Sequence, residues 1–250
     1  QALGNLAILY FRQGRFKEAE QANRETIAIK RKLYPDGHLE LARSLNNLAN
    51  VLATMNLPAE AIAAYEEAHI YYRQALGDES SELASSLSNL AVTYSVSNRM
   101  QDAVKLMGSV VDLQARTIGE GKLPHINSQI KYASLLVELN GEAEAAAMLE
   151  KAIQALDKLD PQPKIPAGYG RMLWAYALLD TGRPQVALAT IREAEQLLRP
   201  ILKPDHWMME QTNIVMGCAL TKTGNRTEGM KLLRPTVDGV VKHMRGSKAY

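Results

Sequence analysis

The chain of 250 residues repeats one pattern every 42 positions, and this period limits its fold more than any other feature. A small residue recurs at Ala19, Ala61, Ala103, Ala145, Ala187 and Gly229. Before each of them, in the same register, stands a residue type that readily adopts a left-handed backbone: Gly14, Asn56, Asn98, Asn140, Gly182 and Gly224. A fixed period of this length predicts a stack of short structural units, each with a tight turn.

A second set of small residues keeps the same register, at Ala7, Ala49, Ala91, Ala133, Ala175 and Gly217. Large apolar residues flank each of them, as Leu6 and Tyr10 do in the first unit and Leu48 and Leu52 in the second. Their i, i+4 spacing indicates one buried helical face. Each unit is therefore predicted to contain a helix A of about 13 residues, a turn, a helix B of about 17 residues and a loop.

One such hairpin cannot bury its apolar face alone, so neighbouring hairpins must stack into a curved superhelix with a concave and a convex side. We therefore expect an all-α fold, with the concave side as the functional surface. The predicted domain is a single solenoid over residues 1–250, with repeats at approximately 1–42, 43–84, 85–126, 127–168, 169–210 and 211–250.

This pattern resembles the tetratricopeptide repeat (TPR) family, whose repeat is a helical hairpin with Gly at the turn and Ala on the packing faces. The period exceeds the family's usual length of about 34 residues, which implies a longer helix B and loop. The segments LNNLANVL at 45–52, LSNLAVTY at 87–94 and GRFKEAE at 14–20 look like kinesin-light-chain repeats, a subtype widespread in bacterial proteins. The resemblance implies a right-handed α–α superhelix of about six hairpins that binds a protein or an extended peptide.

Repeats four to six depart from this subtype, because the Asn found at positions 5, 47 and 89 becomes Lys131, Leu173 and Val215. The closing segment, from Asp205 to Leu233, is similar to the ends of TPR regions that follow bacterial serine/threonine kinase domains. This second resemblance implies a kinase domain upstream. Because Gln1 already lies inside a repeat, we expect the chain to be a fragment of a longer protein.

Helix A lines the groove in this architecture, and polar residues mark the face that is not used for packing. Amide side chains both donate and accept, so a row of them can hold the backbone of an extended peptide. The predicted partner-binding residues are Asn5, Arg12, Arg43, Asn46, Asn47, Asn50, Ser85, Ser88, Asn89, Val92 and Ser95, with Lys131, Ser134 and Tyr176 as further positions in the later repeats. The alternative is that the Asn residues hold adjacent repeats in register.

No catalytic, cofactor-binding or metal-binding pattern is present in the sequence. The segment GEGK at 119–122 lacks the earlier Gly and the following Ser or Thr that a phosphate-binding loop requires. The histidines show no metal-ligand spacing, and His38 and His206 occupy one loop position in two repeats, which indicates a capping role. Cys218 is interpreted as an inert thiol. We expect a protein that is not an enzyme and needs no cofactor.

The formal charge of +2 lacks the positive excess of a nucleic-acid-binding protein, and no apolar run approaches the roughly 20 residues of a membrane span. A single cysteine fits a reducing compartment, so we expect a cytoplasmic location. Two alternatives to a peptide-binding module remain open. One is a regulatory or sensory region acting on its own upstream domain. The other is a homo-oligomerisation scaffold, in which the basic segment 199–250 contacts the acidic segment 43–198 of another copy.

Overall fold

The computed structural model describes residues 2–235, and the regular elements within that range are α-helices. Consecutive helices pair as hairpins, which confirms the predicted all-α fold of about six hairpins. The helices are α1 (Ala2–Arg12), α2 (Phe16–Leu33), α3 (Leu39–Thr54), α4 (Pro58–Leu76), α5 (Ser81–Val96), α6 (Met100–Thr117), α7 (Leu123–Glu138), α8 (Glu142–Leu156), α9 (Lys164–Asp180), α10 (Pro184–Leu198) and α11 (Trp207–Lys222), and residues 226–235 are also helical.

The turn inside each hairpin has one residue with a left-handed backbone, as the recurring Gly and Asn predict. The φ values are 74° at Gly14, 58° at Asn56, 61° at Asn98, 60° at Asn140, 77° at Gly182 and 97° at Gly224. Residues with larger side chains rarely adopt this conformation, because their Cβ atom meets the backbone. The prediction is therefore confirmed at all six turns, which set the direction of each helix B.

The recurring small residues lie where helices approach most closely. Side chains in both alanine registers are fully buried: Ala7, Ala19, Ala49, Ala61, Ala91, Ala103, Ala133, Ala145, Ala175 and Ala187. At the last pair even alanine does not fit. A Cβ atom added to Gly217 would lie 2.9 Å from the carbonyl oxygen of Gly229, and one added to Gly229 would lie 2.6 Å from that of Gly217.

The chain divides into two compact units, unit one at residues 1–135 and unit two at residues 136–250. The main core of unit one joins α2 to α5 through residues such as Leu41, Leu52 and Tyr65. The core of unit two joins α9, α10 and α11 through residues that include Leu178 and Ile191. The single solenoid and the six exact repeat boundaries stay predictions.

The two histidines with a predicted capping role do cap helices. The Nδ1 atom of His38 accepts a hydrogen bond of 3.1 Å from the backbone N–H of Glu40 at the start of α3. The Nδ1 atom of His206 accepts one of 3.2 Å from Met208 at the start of α11. Each ring satisfies a backbone donor that the first turn of a helix leaves free. Within residues 2–235, none of the helices combines the length and apolar character needed to cross a membrane.

Candidate partner-binding surface

The predicted binding residues of unit one lie on the first helix of each hairpin, that is, on α1, α3, α5 and α7. We call the exposed side of these helices the A-helix surface. On α1, Asn5 and Arg12 are exposed, and Ile8 between them is 41% exposed. This end of the surface therefore combines an amide, a cation and an apolar side chain within two helical turns.

Asn47 and Asn50 line a cavity of about 190 Å³ between α1, α2 and α3. Ile8 and Phe11 form part of its apolar wall, and the buried side chain of Asn23 adds a polar wall. The side chain of Asn47 makes no hydrogen bond to another described residue. An apolar recess therefore lies beside two of the amides that are predicted to hold a peptide backbone.

Asn50 links three helices. Its Oδ1 atom accepts a hydrogen bond of 2.6 Å from the hydroxyl of Tyr65 on α4 and one of 3.1 Å from Nδ2 of Asn89 on α5. The Tyr65 side chain is almost fully buried, and burial raises the pKa of Tyr65, so its hydroxyl stays protonated as a donor. This geometry fits the alternative in which Asn residues hold adjacent repeats in register, because the bond between Asn50 and Asn89 joins α3 to α5.

Asn46, in contrast to Asn50, has a side-chain oxygen that accepts no hydrogen bond from the described residues. Its Oδ1 atom is buried and has no hydrogen-bond partner among residues 2–235. An unpaired buried oxygen costs about 1–3 kcal/mol, so a donor supplied by a bound partner would be stabilising there. Asn46, Ser85 and Asn89 line a recess of about 220 Å³ between α3 and α5, with Tyr72 and Glu82 as further walls.

Arg43 crosses from α3 towards α5 at the edge of this recess. Its guanidinium lies 2.8 Å from Glu40 and 3.6 Å from Glu82, and the side chain stays 47% exposed. Hydrogen bonds from Arg43 and then from Lys30 lower the pKa of Glu40. Both carboxylates are thus ionised at neutral pH, and Arg43 is already paired within the protein.

The five predicted residues of α5 do not all reach the surface. Ser85 is exposed, Val92 is 39% exposed, and the hydroxyl of Ser95 donates to the carbonyl of Val92 at 2.9 Å. Ser88 is only 3% exposed, and its hydroxyl accepts a hydrogen bond of 3.1 Å from Nζ of Lys131. The surrounding helices cover this hydroxyl, which helps to position Lys131, and the direct contact of Ser88 with a partner stays a prediction.

Lys131 stands in the register of Asn47 and Asn89 but places a cation there. Burial lowers its pKa, and its Nζ atom has no carboxylate within ion-pair distance among the described residues. The hydroxyl of Ser134 bonds back to the carbonyl of Lys131 at 2.7 Å. In unit two, Tyr176 is 47% exposed on α9. Lys131 thus differs from Asn47 and Asn89 in placing a half-buried cation at this register position.

The sequence interpretation missed two buried polar clusters. His69 lies with Nε2 at 2.9 Å from the Ser86 hydroxyl, and burial lowers the pKa of His69 to about 4. Both side chains are buried, so no substrate reaches the pair. In unit two, Arg171 is 7% exposed and donates to both oxygens of Asp157 at 2.8 and 2.7 Å and to Glu193 at 2.9 Å. The sequence did contain one sign of the first pair, since Ser86 lies 42 positions after Ser44 in the repeat. No sequence pattern indicated that Arg171 is buried.

Metal-binding side chains are not gathered anywhere in the described part of the chain: residues 2–235 contain no cluster of three or more His, Cys, Asp or Glu that could hold an ion. Cys218 is a half-buried free thiol on α11.

Helical hairpins with a left-handed turn residue and alanine packing positions are the features of one family, and comparison with known proteins agrees. The tetratricopeptide repeat model matches residues 1–74 and again residues 40–114. Residues 1–114 therefore belong to the tetratricopeptide repeat family, and solved structures of that family share the fold of the chain. No curated protein sequence matches it. The resemblance to regions that follow bacterial kinases stays a prediction.

Solved structures of kinesin-light-chain-like TPR proteins share this fold. BtubC (BKLC) from P. vanneervenii aligns with a TM-score of 0.72 and 15% identity, covering 94% of this chain and 93% of that one. A putative kinesin light chain of Podosopora anserina, with nearly identical TPR-like repeats, aligns with a TM-score of 0.64 and 22% identity, covering 83% and 99%. YrrB, described as a TPR protein with an unusual peptide-binding site, aligns with a TM-score of 0.55 and 16% identity, covering 87% and 94%. At these identities the likeness concerns the fold.

Proposed function

We propose that the chain is a non-catalytic interaction module that binds an extended peptide or protein segment on the A-helix surface of unit one. The observation that carries the proposal is Asn46, whose buried Oδ1 atom lacks a partner beside an open recess. A backbone N–H of an extended peptide is the donor that such an oxygen would accept. The occurrence of a peptide-binding site in YrrB, on the same fold, supports this choice.

The amides divide into two groups within this proposal. Asn50 and Asn89 are bonded to each other and keep the helices in place. Asn46 and Asn47 make no side-chain hydrogen bond to the described residues and are the candidates for contact with the peptide backbone. Exposed Ile8 and Val92 lie on the same surface and would select apolar side chains of the partner.

The partner is proposed to be a protein or an extended peptide. Nearly balanced charge supports this choice over nucleic acid, since 29 Lys and Arg stand against 27 Asp and Glu. The proposed location is the cytoplasm, which rests only on the single cysteine. No cofactor, metal or membrane enters the proposed interaction.

The test is capture from a lysate of the source organism by three immobilised proteins: the wild type, Asn46→Ala/Asn47→Ala, and the control Arg31→Ala/Glu67→Ala. The control removes an exposed ion pair between α2 and α4, away from the A-helix surface. Asn50 is left intact because its loss would disturb the junction itself. Circular dichroism verifies that all three proteins are equally helical.

We expect the wild type and the control to retain the same protein, identified by mass spectrometry, and Asn46→Ala/Asn47→Ala to lose it. Two backbone hydrogen bonds of about 1 kcal/mol each correspond to roughly a thirtyfold loss of affinity. Equal retention by all three proteins, or retention by none, contradicts the proposal.

A further inference from the structure

The second helices of successive hairpins form a repeated groove in unit one. Groove one lies between α2 and α4, with α3 as its floor, and has a volume of about 360 Å³. Groove two lies between α4 and α6, with α5 as its floor, and has a volume of about 540 Å³. Each residue that lines groove one has its counterpart 42 positions later in groove two, so the two are the same structural feature with different side chains.

Two ion pairs cross groove one from wall to wall. Arg24 lies 2.8 Å from Glu60, and Arg31 donates to both carboxylate oxygens of Glu67 at 2.7 and 2.8 Å. The charges on the two walls are therefore paired with each other. The apolar floor beneath these pairs is buried, since Leu45, Leu48 and Leu52 are at most 6% exposed.

Groove two lacks both crossing pairs. Glu66 and Asp102 occupy the positions of Arg24 and Glu60, and the carboxylate of Asp102 pairs with Arg99, 2.7 Å away, rather than across the groove. Arg73 occupies the position of Arg31, but the neutral Ser109 occupies the position of Glu67. The charges on the two walls of groove two are therefore not paired with each other, and Lys105 adds a further cation on α6.

The charges of groove two are only partly compensated from elsewhere. The carboxylate of Glu66 accepts a hydrogen bond of 3.2 Å from the hydroxyl of Tyr94 and has no cation within ion-pair distance among the described residues. Arg73 lies 3.2 Å from Asp78, a residue that is 83% exposed. A weakly held cation and an unpaired anion thus stand on the same wall, seven positions apart on α4.

The surface of groove two between those charges is apolar. Ile70 is 54% exposed, and Leu87, Leu90 and Leu106 also line the groove. Burying an exposed side chain of the size of Ile70 is favourable, so covering this apolar surface would stabilise a complex. Groove two therefore combines an uncovered apolar strip with opposite charges near its two ends.

We propose that groove two binds an amphipathic helix of a partner protein, one that carries a basic and an acidic residue seven positions apart with apolar residues between them. Seven residues span about 10.5 Å along a helix, the same span that separates Glu66 from Arg73 on α4. The partner's cation meets the carboxylate of Glu66, and the partner's carboxylate meets Arg73. The bound helix thus forms, between two proteins, ion pairs like those that cross groove one within a single chain.

The probes are fluorescein-labelled helical peptides of about 18 residues with Leu at i+3 and i+4. Two of them carry opposite charges at i and i+7, one in each order because the direction of binding is open. Two matched controls carry Lys at both positions or Glu at both. Binding is followed by fluorescence anisotropy.

The decisive variant is Glu66→Arg/Ser109→Glu, which gives groove two the crossing pairs of groove one. Both residues are exposed, so the fold should tolerate the change. A control, Glu25→Arg/Thr54→Glu, makes the same types of change at exposed residues outside the groove. Circular dichroism and thermal unfolding confirm that the proteins are folded.

We expect a mixed-charge probe to bind the wild type and the control about tenfold more tightly than either same-charge probe, and to lose about tenfold in affinity on Glu66→Arg/Ser109→Glu. Asn46→Ala/Asn47→Ala should leave this binding unchanged, which separates the inference from the proposed function. Absence of binding to the wild type at about 1 mM probe, or equal binding to the decisive variant, overturns the proposal. So does wild-type self-association that this variant abolishes, because the occupant is then a second copy.

Discussion

The junction of α2 with α3 and the junction of α4 with α5 occupy one register, 42 residues apart, yet they use different chemistry. At the first, the Ser44 hydroxyl accepts a hydrogen bond of 3.0 Å from Lys30, and Lys30 also lies 3.1 Å from the Glu40 carboxylate. At the second, the Ser86 hydroxyl lies 2.9 Å from neutral His69. The packing positions repeat because they are fixed by backbone sterics, whereas the polar positions are free to vary.

The largest expected difference between the junctions is their response to acid. Burial lowers the pKa of His69 from 6.5 to about 4. Above pH 6.5 both the folded and the unfolded state hold His69 neutral. As the pH falls from about 6.5 to about 4, only the unfolded state binds the proton, so the free energy of unfolding decreases by roughly 3 kcal/mol.

Urea unfolding between pH 7 and pH 4 measures this loss. The control is His69→Ile/Ser86→Ala, which places at position 69 the Ile found at position 27 and leaves no hydroxyl unpaired. Over this pH range the free energy of unfolding of the double variant should fall by about 3 kcal/mol less than that of the wild type, since their other titrating groups are the same. Parallel pH profiles would contradict the account of this junction.

The Asn50 link is the next largest expected difference. Asn50→Ala removes the acceptor of the buried Tyr65 hydroxyl and of Asn89, so we expect a loss of about 2 kcal/mol in the free energy of unfolding. Asn47→Ala, one turn earlier on the same helix, should cost about 0.5 kcal/mol or less, because no described residue bonds to its side chain. Equal shifts of the urea midpoint would show that Asn50 does not link the repeats.

The ion pairs across groove one should contribute least. Arg31 and Glu67 have side chains that are 55% and 32% exposed, so solvent screens their attraction. Arg31→Ala is expected to lower the free energy of unfolding by about 0.5 kcal/mol at low salt and by less at high salt. Arg73→Ala, at the matching position of groove two, is expected to lower it by less than Arg31→Ala does. Thermal unfolding at two salt concentrations checks this order, and a larger effect of Arg73→Ala would reverse it.

The fold was predictable because its repeated positions obey local rules. A left-handed turn selects Gly or Asn, and a close helix crossing selects Ala or Gly, so the residue type alone indicates the conformation at Asn56 or Ala49. These rules hold whatever lies nearby in three dimensions. The period of 42 then predicted where the turn inside each hairpin lies.

The site was predictable only in outline. The sequence indicated a polar row on helix A, but it did not separate Asn46, which is unpaired, from Asn50, which is bonded twice. That difference depends on Tyr65 and Asn89, which lie on other helices. Ser88 was expected at the surface and is buried, because its exposure is set by the helices that pack around it.

The central claim is that the A-helix surface of unit one holds the partner, and photo-cross-linking tests it most directly. A benzophenone amino acid replaces Val92 in one protein and Ile29 on α2, 48% exposed, in another; each is irradiated with the captured partner. The account predicts a cross-linked product from position 92 and none from position 29. A product from position 29 alone would place the partner on a B helix and contradict the account.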